Sequence, residues 1–359
     1  MRVFHVVPAL FGANGGVTGG AERYVLELAR HMAELVPTTL VSFGPQDESR
    51  TLGRLSIRLF GGAHAVRGLA SNPFSLRALA FLRHADVVHC HQRRIVMSSL
   101  SALLCRATGR RVFVTDLGGG GWDISAYIST RSWFQGDLHI SEYSRRVAGQ
   151  ENDPRAHIIM GGVDADRFSP DPGARRDNTI VYVGRILPHK GIDTVIRALP
   201  PHLRLRILGQ PYHPAYLALL RELAAGKDVT FEHDATDEDL VRAYRGALCV
   251  VLASVYKDVY GGESRVPELL GQTLLEGMAC GTPAVCTDVA SMPEVVEHGV
   301  TGFVVPPYEP DALRARFEWL AGHPEAVETM GRAGRERVLA RFTWPAVASR
   351  CVEIYRSCQ

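Results

Sequence analysis

The sequence predicts two doubly wound α/β domains, each built on a parallel sheet, and three observations point that way. Short Val- and Ile-rich runs recur along the chain without strict polar alternation, the pattern of strands buried on both faces. Amphipathic helical stretches lie between them. The chain has 359 residues, which exceeds one ordinary core and suits two domains of roughly 150–180 residues.

Taken in order, the first set of strands is expected at Arg2–Val7, Thr38–Phe43, Asp86–His91, Arg111–Thr115, Leu138–Ser141 and His157–Met160. The second set is Thr179–Val183, Leu203–Leu208, Val229–Glu232, Cys249–Ala253, Pro283–Thr287 and Gly302–Val305. Between them, Ala21–Leu35 places Val25, Leu28, Ala29, Met32 and Leu35 on one stripe. Similar helical stretches cover 75–84, 95–107, 214–225, 237–246, 271–280, 310–320 and 325–341. The join falls near Gly161–Pro172, rich in Gly, Pro and Asp, which gives domains 1–163 and 164–343. A closing helix within 344–359 is expected to cross back to the first domain. Ligands of such sheets bind beyond the carboxyl ends of the strands, so chemistry is sought there and in a cleft between the domains.

Composition narrows the class. Apolar residues make up 46% and charged residues 22%, as in a water-soluble globular chain. The net charge of +2 conceals an asymmetry: residues 1–165 carry 18 Lys/Arg against 13 Asp/Glu, and the remainder 22 against 25. Eleven arginines run from Arg50 to Arg111, which suits a solvated basic face or a phosphate-bearing or membrane-surface partner. Seven cysteines without C-x-x-C spacing argue against a disulfide framework or zinc site and for a reducing cytoplasm. No apolar run reaches the ~18 residues of a membrane span. Only Lys190, Lys227 and Lys257 are lysines, so a lysine inside a motif is informative.

The strongest constellation pairs two segments. Val183-Gly184-Arg185-Ile186-Leu187-Pro188-His189-Lys190-Gly191 leaves a strand and opens a helix, and Glu268 through Glu276 spans the start of another. Arg185 can fork onto phosphate oxygens and Lys190 adds a point charge, stabilising a leaving diphosphate where a metal otherwise would. Leu270-Gly271-Gln272-Thr273 reads as a helix N-terminus, a phosphate cradle of unpaired N–H groups. Eight residues at ~1.5 Å rise separate the glutamates by about 12 Å, comparable to the span from ribose to transferred sugar. Glu276 is therefore placed on the ribose hydroxyls and Glu268 on the transferred sugar. Two ordinary helix-surface acids are the plainer alternative.

These segments resemble the GT-4 family of GT-B glycosyltransferases, with its G-R-x(4)-K-G segment and E-x7-E motif. The likeness covers nearly the whole chain: Gly19-Gly20-Ala21-Glu22, Gly162-Val163-Asp164, Gly281-Thr282-Pro283, Gly299-Val300-Thr301-Gly302-Phe303 and Phe342-x-Trp344 recur in order. The resemblance implies the same glutamate assignment and a GT-B fold. It also implies a hexose-transferring enzyme using an NDP-sugar, UDP- or GDP-linked, with a hydroxyl acceptor and no cofactor. Leu269 stands where many members have glycine, and the polar loop Asp258–Arg265 is longer than the pattern, which bears on the sugar pocket.

The first half gives fainter signals. Gly16, Gly19 and Gly20 lie between the first strand and helix, where glycine lets backbone amides approach a donor closely. The spacing is not that of a dinucleotide fingerprint, so an NAD-dependent dehydrogenase is disfavoured. His89 and His91 point the same way from a strand end and suit metal ligation, cleft-lining hydrogen bonds or a satisfied core. Only Asp116 offers a third ligand, so no metal is expected; His89, His91, Asp116 and Gly119 are assigned to the acceptor, and Asp116, as a sugar or acceptor contact, also joins Arg185, Lys190 and Glu268 in the catalytic set. Asp164-Ala165-Asp166 reads as a turn and helix cap rather than a metal-binding D-x-D. The expected reaction is transfer with retention by a metal-independent front-face route. The competing readings are a GT-B epimerase or hydrolase, or a silent nucleotide-sugar-binding subunit. Nucleic acid is not an expected partner; the basic first half leans towards a lipid-linked or anionic acceptor and peripheral contact with the inner membrane face.

Overall fold

A computed structural model describes residues 1–9, 20–118 and 121–358. The chain divides into two compact units: residues 1–140, 148–162 and 344–359, and residues 141–147 and 163–343.

The first unit is built on β1 (Val3–Val6), β2 (Thr38–Phe43), β3 (Glu48–Leu52), β4 (Leu55–Phe60), a two-strand ribbon of β5 (His64–Ala65) and β6 (Pro73–Phe74), β7 (Val87–Cys90), β8 (Arg111–Val114), β9 (Gly136–His139) and β10 (Ala156–Ile158). Outside the ribbon they form one sheet in the order β10-β9-β8-β7-β1-β2-β4-β3, parallel except where β3 runs against β4. Strands β1, β7 and most of β8 are buried throughout, as continuous apolar runs require. The β3–β4 hairpin is the departure from expectation. Strand β3 is a polar edge whose residues are mostly exposed, so it lacks the apolar run that marks a buried strand.

The unit's helices are α1 (Gly20–Ala33), α2 (Leu76–Phe81), α3 (Val96–Ala107) and, from the far end of the chain, the last helix, Trp344–Ser357. Helix α1 buries Tyr24, Val25, Leu28, Ala29 and Met32. The last helix returns to this unit as expected. Its Trp344 meets the Tyr24 ring edge-on at 5.1 Å, and its Tyr355 packs on Phe113 at 4.9 Å.

The second unit takes in α4 (Glu142–Val147), whose first backbone amides, those of Glu142 and Tyr143, donate to the Glu294 carboxylate at 2.8 and 2.7 Å. Its strands are β11 (Thr179–Val183), β12 (Arg204–Leu208), β13 (Val229–Glu232), β14 (Cys249–Leu252), β15 (Ala284–Thr287) and β16 (Gly302–Val305). All six are parallel, in the order β13-β12-β11-β14-β15-β16. Helices α5 (Ile192–Ala198), α6 (Pro214–Leu223), α7 (Asp237–Gly246), α8 (Gln272–Ala279) and α9 (Met292–Val295) lie between them, α10 (Pro310–Gly322) and α11 (Pro324–Arg341) follow β16, and the last helix is α12. The strand order reverses between β11 and β14, so loops leaving those two strands diverge and open a crevice at their carboxyl ends. Among the described residues no helix is long and apolar enough to cross a membrane.

Candidate active site

The two segments singled out by sequence leave β11 and β14, the strands flanking that switch point. After β11 the chain makes a single tight turn, Pro188–Lys190, and Gly191 takes the left-handed conformation at φ +64° before α5 begins. A Cβ on Gly191 would lie 2.0 Å from the Ala253 carbonyl oxygen, so only glycine permits this approach to the chain leaving β14. The amide of Val255 donates to the His189 carbonyl at 2.9 Å and fastens the two segments.

This contact delivers Lys190 to Glu268. Their side chains form an ion pair, each mostly withdrawn from solvent at 11% and 15% exposure. The ammonium also donates to the Pro267 carbonyl at 3.4 Å, and the fully buried Ser254 donates its hydroxyl to the Glu268 carboxylate at 3.3 Å. Beyond Glu268, α8 starts after Gly271, and no side chain caps its first turn. The amide dipoles there favour an anion.

Glu276 lies one turn into α8, 7% exposed, and its Oε2 accepts a hydrogen bond from the hydroxyl of buried Tyr244 at 3.0 Å. Tyr182, also fully buried, donates its hydroxyl to the Arg185 carbonyl at 2.9 Å. Burial drives the Tyr182 phenol far above its usual range, and the neighbouring Glu268 charge adds to this. Arg185 itself is exposed and makes no ion pair among the described residues. The second unit therefore gathers a free guanidinium, a paired ammonium, an uncapped helix start and two shielded carboxylates. That set suits an anion with hydroxyl-bearing groups attached.

Of the other expected contacts, Gly184 follows β11 at φ +147°, Leu270 and Gly271 are buried, and Gln272 and Thr273 are half-buried on the first turn of α8. Gly20 is the exposed first residue of α1, while Gly16, Gly19 and Gly119 lie outside the described residues. Asp116 is exposed just past β8, within the field of Arg93. Asp164 forms the expected turn, accepting from the amides of Asp166 and Arg167 at 3.2 and 3.1 Å, though no α-helix follows for it to cap. The loop after β14 folds into a small hairpin, with the Asp258 amide bonded to the Gly262 carbonyl and the Ser264 amide to the Tyr256 carbonyl, both at 2.8 Å.

His89 and His91 belong to the core rather than to the acceptor surface expected of them. His89 is fully buried, with Nε2 bonded to the Thr115 hydroxyl at 2.8 Å and Nδ1 to the Tyr355 hydroxyl at 2.7 Å. Both ring nitrogens are occupied, so none remains for an acceptor. His91 is 2% exposed and bonds through Nε2 to Nδ1 of His5 at 2.7 Å. The third member of the cluster is thus His5, across the sheet on β1, rather than Asp116. Its partnership with β7 is a matter of strand order and has no sequence signal. Tyr182 and Tyr244 carry no sequence signal either, because each reads as an ordinary core position of its strand or helix, and Ser254 is a lone serine just past β14 without a motif.

Comparison with known proteins gives the same picture. The family described as "Glycosyl transferases group 1" matches residues 164–337, and "Glycosyltransferase Family 4" matches 18–167. The GDP-mannose-dependent alpha-(1-6)-phosphatidylinositol monomannoside mannosyltransferase of Mycolicibacterium smegmatis is 30% identical over 283 residues, 72% of this chain and 73% of that protein. The Mycobacterium tuberculosis protein of the same description is 32% identical over 238 residues, and the match spans 60% of either protein's length. The structure of HepE from Anabaena in complex with UDP-glucose shares the fold, with a TM-score of 0.74 at 16% identity over 99% of this chain and 100% of that one. With its two parallel-sheet units of the GT-B type, this chain belongs to the family-4 glycosyltransferases.

Proposed function

We propose that the chain transfers a hexose from a nucleoside-diphosphate sugar to a hydroxyl acceptor, with retention at the anomeric carbon and without a metal ion. The observation that carries this is the shielded Lys190–Glu268 pair at the switch point, beside the uncapped start of α8. In this reading the donor's diphosphate takes up Lys190, Arg185 and the first amides of α8. Glu268, released from its partner, accepts hydroxyls of the sugar, and Glu276 accepts those of the ribose. The acceptor oxygen bonds to the anomeric carbon as the bond from that carbon to the phosphate oxygen breaks. The departing phosphate oxygen takes the acceptor's proton. Negative charge grows on the diphosphate as it leaves, and the two cations stabilise it there, so their effect falls on the transition state. Asp116 is proposed as an acceptor contact.

A GDP- or UDP-sugar is the proposed donor. It is supported by the mannosyltransferase relatives, described as GDP-mannose-dependent, and by HepE, solved with UDP-glucose. A lipid-linked or anionic acceptor is supported by the basic first half of the chain. The test is donor turnover in the presence of candidate acceptors. Lys190→Ala and Arg185→Ala are each expected to lower turnover by about a hundredfold or more, the loss seen when one group stabilising transition-state charge is removed. Activity is expected to survive EDTA. Near-normal transfer by both variants removes the assignment, and activity abolished by EDTA and restored by Mg²⁺ or Mn²⁺ removes metal independence.

A further inference from the structure

Glu276 is a nearly buried carboxylate, and such a group needs fixed hydrogen-bond donors to remain charged. One of its partners is Tyr244 on α7, a fully buried residue 32 positions earlier, whose hydroxyl donates at 3.0 Å. Burial and the neighbouring carboxylate hold the phenol far above its ordinary range, so it stays protonated and donates. The frame around the pair is tight. A Cβ on Gly277 would lie 2.6 Å from Val250 Cγ1, so α8 rests directly on β14. The Thr282 hydroxyl donates to the Tyr244 carbonyl at 2.6 Å and ties the end of α7 to the turn after α8.

We infer that Tyr244 is a positioning residue that orients the Glu276 carboxylate towards the donor's ribose hydroxyls and thereby sets a preference for ribonucleoside over deoxyribonucleoside diphosphates. This rests on the proposed reading of Glu276 as the ribose contact. A phenol bonded to one carboxylate oxygen fixes the rotation of the group, and a hydroxyl is recognised by a carboxylate whose lone pairs are already aimed. A purely structural role for Tyr244 would change stability and leave discrimination between sugars untouched.

The experiment measures binding of UDP and GDP, and of their 2′-deoxy and 3′-deoxy analogues, by calorimetry. The wild-type protein is expected to prefer the ribonucleotide by about tenfold or more over at least one analogue, the value of one hydrogen bond to a charged group. Glu276→Ala is expected to bind ribonucleotide and analogue alike. If it keeps the wild-type preference, the ribose reading fails and the inference with it. Tyr244→Phe keeps the ring and removes only the donor. It is expected to lose most of the preference, and in transfer assays to raise the donor KM while kcat changes little, since the ribose is remote from the reacting carbon. Glu276→Asp, which keeps Tyr244 and the charge but draws the carboxylate back by one methylene, is expected to lose the preference too. A flat Glu276→Ala together with full wild-type preference in Tyr244→Phe overturns the inference. If Tyr244→Phe does not fold, full preference in Glu276→Asp overturns it instead.

Discussion

Lowering the pH from 7.5 to 5.0 should destabilise the first unit through its three buried histidines. His5, His89 and His91 bring ring nitrogens within 4.8 Å of one another, and none is more than 2% exposed. Burial depresses His5 from its usual value near 6.5 to about 3. It also holds His89 and His91 well below the usual range, with the neighbouring rings adding to the effect. In the folded chain these imidazoles are neutral at pH 5, whereas in the unfolded chain they bind protons below about pH 6.5. Their stabilising effect is therefore complete above pH 6.5 and declines as the pH falls towards 3. At pH 5.0, about 1.5 units below the unfolded value, His5 alone costs about 2 kcal/mol at ~1.36 kcal/mol per unit. For a unit of this size that lowers Tm by roughly 4–8 °C, and His89 and His91 act in the same direction. Tryptophan fluorescence suits the measurement, because Trp122, Trp133 and Trp344 belong to the first unit and only Trp319 to the second. His5→Asn should flatten the pH dependence by about one proton. Equal midpoints at pH 7.5 and 5.0 for the wild-type chain would show that the cluster is solvated or already charged and would refute the reasoning.

Two further outcomes bear on the second unit. Gly191→Ala forces a side chain into left-handed backbone and onto the Ala253 carbonyl, so it should cost at least about 2 kcal/mol in thermal unfolding and weaken nucleotide binding. A normally stable, normally binding variant would mean the two segments are not packed as described. Glu268→Gln strands the shielded Lys190 ammonium and should cost about 1–3 kcal/mol, whereas the double variant Glu268→Gln with Lys190→Met should recover part of that loss. Strictly additive effects in this cycle would show that the pair is not coupled.

The placement of the second unit's candidate residues was legible in the sequence because it depends on residue types in short order. Arg185, Lys190, Glu268 and Glu276 sit where their motifs place them, past β11 and around the start of α8. The alternation of buried strands and amphipathic helices likewise follows from local periodicity, down to the bounds of Thr38–Phe43, Thr179–Val183 and Asp237–Gly246. The polar β3 was illegible, since an edge strand without an apolar run has no periodic signal.

What tertiary structure alone decided is which side chains meet across the sheets. Strand order sets His5 beside His89 and His91, and so turned an H-x-H pair expected to face an acceptor into a hydrogen-bonded core. The same cause put Tyr244 on Glu276 and Glu268 on Lys190, residues separated by 32 and 78 positions. Sequence patterns carry local propensity and charge, whereas a buried hydrogen bond depends on a register between strands and helices that is settled only when the whole unit packs.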